Sequence, residues 1–203
     1  MKKAIQILLL ATYFVTVPQL LADQVPMIIK ENGKERLILP QPILDFISTN
    51  YAGYRIPSSV DLKANWEARK EPGKFPFVTW GDFDGNGETD VMLLLLGPAV
   101  VGEEYWIYQG DYAEVIFHQV NSSFVVKFDH KSSFSSEGPK YPQEITYKLM
   151  KKGETIQIGK TESYTAIHDS ILDDFLELDT SIWYWNGTGY DYKTVSSPHF
   201  NEP

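Results

Sequence analysis

The stretch Gly81-Asp82-Phe83-Asp84-Gly85-Asn86-Gly87-Glu88-Thr89-Asp90 constrains this chain more than any other. Counted from Asp82, it sets carboxylates at the first, third and ninth positions, an amide at the fifth and a glycine at the sixth. Calcium takes six to eight oxygens at about 2.3–2.6 Å, so it needs several short oxygen-bearing side chains converging on one point. Asp82, Asp84, Asn86 and Asp90 supply such oxygens, and a sharp turn at Gly87 frees the backbone carbonyl of Glu88 to join them. Three carboxylates held close without a cation would repel one another. The same residue types also build solvated hairpin turns, which is the alternative reading of the segment. An EF-hand fails at its twelfth position, where a bidentate Glu is required and Leu93 stands inside an apolar run.

The flanks read as strands. Phe77-Val78-Thr79-Trp80 enters the loop, and Val91 to Leu96 leaves it as a continuous apolar run stopped by Gly97-Pro98. A short apolar run with such boundaries is a buried strand rather than a helix. Gly81 to Val91 resembles the calcium loop of FG-GAP and VCBS-type repeats, as in integrin α-chain propellers. The resemblance implies Ca2+ held by the side chains of Asp82, Asp84, Asn86 and Asp90 and by the carbonyl of Glu88. It also implies a structural ion pinning a strand connection, with residues 77–118 as one blade-like unit. A closed propeller needs about four blades or more, and this chain carries one full copy of the motif.

Elsewhere the patterning gives a mainly β (α+β) chain of antiparallel sheets or hairpins with a short N-terminal helix. Aromatics make up 14% of the residues, and these pack well on pleated surfaces. Asn32-Gly33 marks a turn between Met27-Ile28-Ile29 and Leu37-Ile38-Leu39. Pro42 opens a helix with Ile43, Leu44, Phe46, Ile47 and Tyr51 at helical spacing and Gly53 past its end. A second short helix is expected over 61–69. Further strands are expected over 105–108 and 113–120, joined by a turn at Gln109-Gly110, and over 124–128, 145–150 and 155–158. His130 to Pro142, rich in Ser, Gly and Pro, reads as a loop. Asp90-Val91-Met92-Leu93 followed by Trp106-Ile107-Tyr108 is echoed by Asp169-Ser170-Ile171-Leu172 followed by Trp183-Tyr184-Trp185, at an offset of about 77 to 79 residues. This reads either as two degenerate blade-like units or as the ordinary likeness of β-hairpins.

The N-terminus has the form of a secretory signal over 1–22. Lys2 and Lys3 precede an apolar stretch from Ile5 to Val17, Pro18 interrupts it, and Ala22 supplies a small residue for cleavage. A stretch this short falls below the roughly 20 residues of a membrane span. Residues 23–203 would then form a single mainly β domain, periplasmic or secreted, with no stable membrane insertion. Cleavage leaves 16 basic against 27 acidic residues, a net charge of -11. That balance excludes nucleic acid as a partner, since its phosphates require clustered Lys and Arg. It suits divalent cations or basic partners. With no cysteine, the chain has no disulfide and no thiol nucleophile.

No catalytic or organic-cofactor residue emerges. His118, His130, His168 and His199 lack any zinc-ligand spacing, and no Gly-x-Ser-x-Gly elbow occurs. His168-Asp169 is either a base with its orienting acid or strand-edge polarity. The acidic run Asp173, Asp174, Glu177 and Asp179 is either a glycosidase carboxylate pair or a solvated strand edge. The clusters Tyr105-Trp106-Tyr108 and Trp183-Tyr184-Trp185-Tyr190-Tyr192 could form a platform for sugar or protein, although alternation along a strand would bury half of each. The expected function is an exported calcium-binding module of the bacterial envelope, non-catalytic, with a protein or carbohydrate partner. The alternatives are a carbohydrate-active hydrolase with structural calcium, or an acidic enzyme inhibitor.

Overall fold

A computed structural model describes residues 25–31, 34–58, 74–101, 108–133, 145–175 and 179–195. The expected signal segment, the helix over 61–69 and Tyr105-Trp106 lie outside the described residues. The chain divides into two units, Met1–Asn50 and Tyr51–Pro203. In the first, β1 (Met27–Glu31) pairs antiparallel with β2 (Lys34–Ile38), with Glu31 opposite Lys34; the expected Asn32-Gly33 turn itself lies outside the described residues. The helix α1 (Gln41–Asn50) begins one residue before Pro42 and buries Ile43 and Ile47 on one stripe.

The second unit is antiparallel β throughout its described strands. β3 (Val78–Gly81), β4 (Asp90–Val101), β5 (Tyr108–Val120) and β6 (Ser123–Ser133) form one sheet in chain order. A second sheet runs β7 (Ile145–Met150), β10 (Ser170–Phe175), β11 (Asp179–Trp185), β12 (Tyr190–Val195). Between β7 and β10 lies a small hairpin, β8 (Thr155–Gln157) with β9 (Ser163–Thr165). Each large sheet is thus a four-stranded meander. Phe77, Phe83, Met92, Leu94 and Ile116 of the first meet Tyr147 and Ile171 of the second in one buried cluster, with Trp183 and Tyr190 packed against it. Ile158, Tyr164 and Ala166 cover the opposite face of the second sheet through Met150 and Ile182. Val91, Leu93 and Leu95 are buried as completely as Met92 and Leu94, which is why β4 is apolar at every position from Val91 to Leu96 rather than alternating.

Four local expectations are corrected. Gly97-Pro98 does not end β4. The strand continues to Val101 through a register shift between Leu96 and Ala99, and such an irregularity is where a strand tolerates proline. A side chain at Gly97 would press on Asp111 of β5 at 2.9 Å, so the close approach of the two strands requires glycine there. Gln109-Gly110 is not a turn, because Val100 and Ala99 of β4 pair with it. The hairpin turn falls instead at Asn121-Ser122, both in the left-handed region with φ of 51° and 62°. His130 to Ser133 extend β6 rather than opening a loop, since β5 is long enough to pair with them. Asp173 and Asp174 are not on a sheet edge, because β10 lies between β7 and β11.

Candidate metal centre

The loop from Asp82 to Thr89 joins the first two strands of the first meander, and its own hydrogen bonds set its shape. Phe83, fully buried in the inter-sheet cluster, ties it to the core. Gly81 pairs with Asp90 at its base. Asp90 is also fully buried; its Oδ2 accepts the N–H of Phe83 and its Oδ1 that of Gln119, each at 2.8 Å. Burial pushes the Asp90 carboxyl up to about 7, aided by the nearby charge of Asp84 and opposed by those backbone donors.

Asp82 Oδ2 accepts the N–H of Gly87 at 3.0 Å, closing the loop from its first to its sixth position. Asp82 Oδ1 is buried with no hydrogen-bond partner. Asp84 Oδ1 accepts the N–H of Asn86 at 3.0 Å, and its Oδ2 accepts from Asn86 Nδ2 at 3.2 Å. Asn86 Oδ1 takes the N–H of Glu88 at 2.6 Å, while its Nδ2 also reaches the carbonyl of Gln119 at 2.9 Å. The Glu88 carboxylate turns outward to the β5–β6 turn and accepts the N–H groups of Asn121 and Ser122 at 2.8 and 3.1 Å. A side chain at Gly85, where φ is +80°, would collide with the imidazole of His168.

Of the five residues expected to hold calcium, the structure brings carboxylate oxygens of Asp84 and Asp90 together, and adds a nitrogen from a strand well separated in the chain. Oxygens of those two residues and a ring nitrogen of His118 lie within 4.8 Å of one another. His118 is fully buried; its Nδ1 stands 3.1 Å from Asp84 Oδ2, out of line for a hydrogen bond. Its Nε2 lies 2.7 Å from the Tyr190 hydroxyl, and its ring packs edge-on against Trp185 and Tyr190. Burial lowers the imidazole's pKa, with Asp84 pulling the other way.

Sequence reasoning also missed two latches. Gln119 accepts the N–H of Thr89 through Oε1 at 3.2 Å, so β5 holds both ends of the loop's second half. Asp169 Oδ2 accepts the N–H of Asp82 at 3.2 Å and that of Lys151 Nζ at 2.9 Å, and Oδ1 accepts the N–H of Lys152 at 3.0 Å. Burial would raise the Asp169 carboxyl, but these donors outweigh it and hold the group below its ordinary value. Asp90 and Asp169, matched in the sequence echo, do comparable work. Asp90 opens its meander's second strand and Asp169 immediately precedes its own, and each accepts the N–H of the residue next but one after the first strand, Phe83 after Gly81 and Lys152 after Met150. His168-Asp169 is therefore a cross-link between the two sheets' loops.

The aromatic hairpin divides by face: Trp183 and Tyr190 pack on the inter-sheet core and Tyr184 on the other, leaving Tyr192, 64% exposed, as its open ring. Compared with protein-family models, with curated proteins and with solved structures, the chain matches none.

Proposed function

We propose that the protein is an exported calcium-binding β protein in which the ion is structural, acting as a non-catalytic binding module of the bacterial cell envelope. The observation that carries the reading is Asp82, whose Oδ2 is spent on closing the loop over Gly87 while its Oδ1 is left buried and unpartnered. A buried acceptor without a donor costs about 1–3 kcal/mol, and a cation removes that cost. Asp82, Asp84, Asn86, Glu88 and Asp90 would hold the ion, Glu88 by its carbonyl, since its carboxylate is committed elsewhere. Bound calcium would neutralise the loop's carboxylates and stiffen the β3–β4 connection.

A non-catalytic role is supported by the fate of the other ionisable groups. Glu114 is buried, and takes hydrogen bonds from Tyr147 Oη at 2.5 Å and from His130 Nδ1 at 3.3 Å, an arrangement that fastens the sheets together. Among the described residues, the pocket lined by Lys74, Val78, Thr79, Trp80, Tyr147, Lys148 and Leu149 offers no carboxylate pair for glycoside chemistry.

Thermal melts in calcium and in chelator test the calcium reading. At a calcium concentration about 100 times the dissociation constant, linkage adds about 2.7 kcal/mol, and Asp84→Ala removes that gain. Coincident wild-type melts in calcium and chelator overturn the reading.

A further inference from the structure

We infer that Asp84, Asp90 and His118 form the inner wall of this site and bind a divalent first-row transition metal, with zinc as the type, through the Nδ1 of His118. The inference rests on the reading of the loop as a cation site, and does not require that cation to be calcium.

Calcium selects oxygen, and an imidazole nitrogen adds little to a calcium shell. Imidazole with carboxylates is instead a donor set for zinc and its neighbours. The Nδ1 of His118 is buried and meets Asp84 Oδ2 at 3.1 Å as a charge contact rather than an aligned hydrogen bond. Adjacent ligands around an ion about 2.0–2.2 Å away are separated by about this distance. Asp90 closes the triangle from the base of β4.

The other side of the ring is prepared as well. A ligating histidine donates its second ring N–H to an oxygen, which fixes the tautomer that exposes the free lone pair. The Tyr190 hydroxyl stands 2.7 Å from Nε2 and can accept that hydrogen. Trp185 and Tyr190 flank the ring at centroid distances of 4.7 and 5.7 Å and exclude competing ligands. Asp82 is not part of this cluster, and calcium and zinc would share Asp84 and Asp90 and compete for the loop.

The test is titration of the metal-free protein with zinc alone, followed through the nitrogen resonances of the histidine rings. The inference predicts one zinc per chain and a shift at Nδ1 of His118, and, when zinc is added to the calcium-loaded protein instead, displacement of the calcium. His118→Gln should weaken zinc by more than the roughly 10–100-fold that loss of an outer partner costs, and Tyr190→Phe should fall within that range. In both variants the calcium melting shift should remain. Because the resonance shift is read on the wild type, a variant that fails to fold does not decide the matter. Zinc confined to His130, His168 or His199, or equal zinc affinity in a folded His118→Gln, overturns the inference and leaves the calcium reading standing. Zinc bound at His118 with no calcium effect on the melt overturns the calcium reading and leaves this one.

Discussion

Asp90 Oδ2 accepts the backbone N–H of Phe83 at 2.8 Å, so the residue that ends the loop holds the residue near its start. Both are fully buried. The loop is therefore no loose surface turn but an inward fold of the β3–β4 connection, with a ring at one end and a carboxylate at the other. An ion bound there acts on the core directly.

Phe83→Ala should lower stability by about 3–5 kcal/mol, the cost of emptying a buried aromatic site. Phe83→Leu, closer in volume, should recover most of it. Calcium affinity should follow the same order, because the ring positions the segment that carries Asp82 and Asp84. Chemical denaturation with and without calcium reads both effects.

Glu88→Ala should separate the two roles of that residue. Its carboxylate caps the Asn121-Ser122 turn, and its carbonyl is the proposed calcium ligand. Losing the cap should cost about 1–2 kcal/mol in chelator, while the calcium-induced rise in melting temperature persists. If the rise disappears, the side chain rather than the carbonyl is the ligand.

Tyr147 supplies a pH signature away from the loop. Its hydroxyl is buried and donates to Glu114, and desolvation, with Glu114 and Asp173 nearby, raises its pKa well above 10.0. The stabilisation is complete below the unfolded value. Above about pH 10 the unfolded chain releases this proton and the folded chain keeps it, so stability falls by about 1.4 kcal/mol per pH unit. Tyr147→Phe should make the alkaline decline shallower by that amount, after a loss of about 1–3 kcal/mol at neutral pH. Denaturant midpoints between pH 8 and 11 measure it.

What the sequence shows of this fold is what local periodicity can carry. The helix from Gln41, the Met27–Ile38 hairpin and the unbroken apolar run of β4 each follow from spacing within one segment. Strand ends do not. Whether Gly97-Pro98 or Gln109-Gly110 is a turn depends on whether a partner strand runs alongside, and the ladder between β4 and β5 supplies that partner. The loop's chemistry is likewise legible because its oxygens come from consecutive residues. His118 is not, since Val91 pairing with Phe117 is what brings its strand position beside Asp90. The β4–β5 connection is too long for its length to fix that register. The contacts of Gln119 and Asp169 with the loop were hidden because each is made across a long separation in the chain.

The most direct test is a crystal structure grown in millimolar calcium with anomalous diffraction data. The account predicts a peak inside the loop, bound by Asp82, Asp84, Asn86, Asp90 and the Glu88 carbonyl at about 2.3–2.6 Å. An ordered loop enclosing only water at that calcium concentration would contradict it.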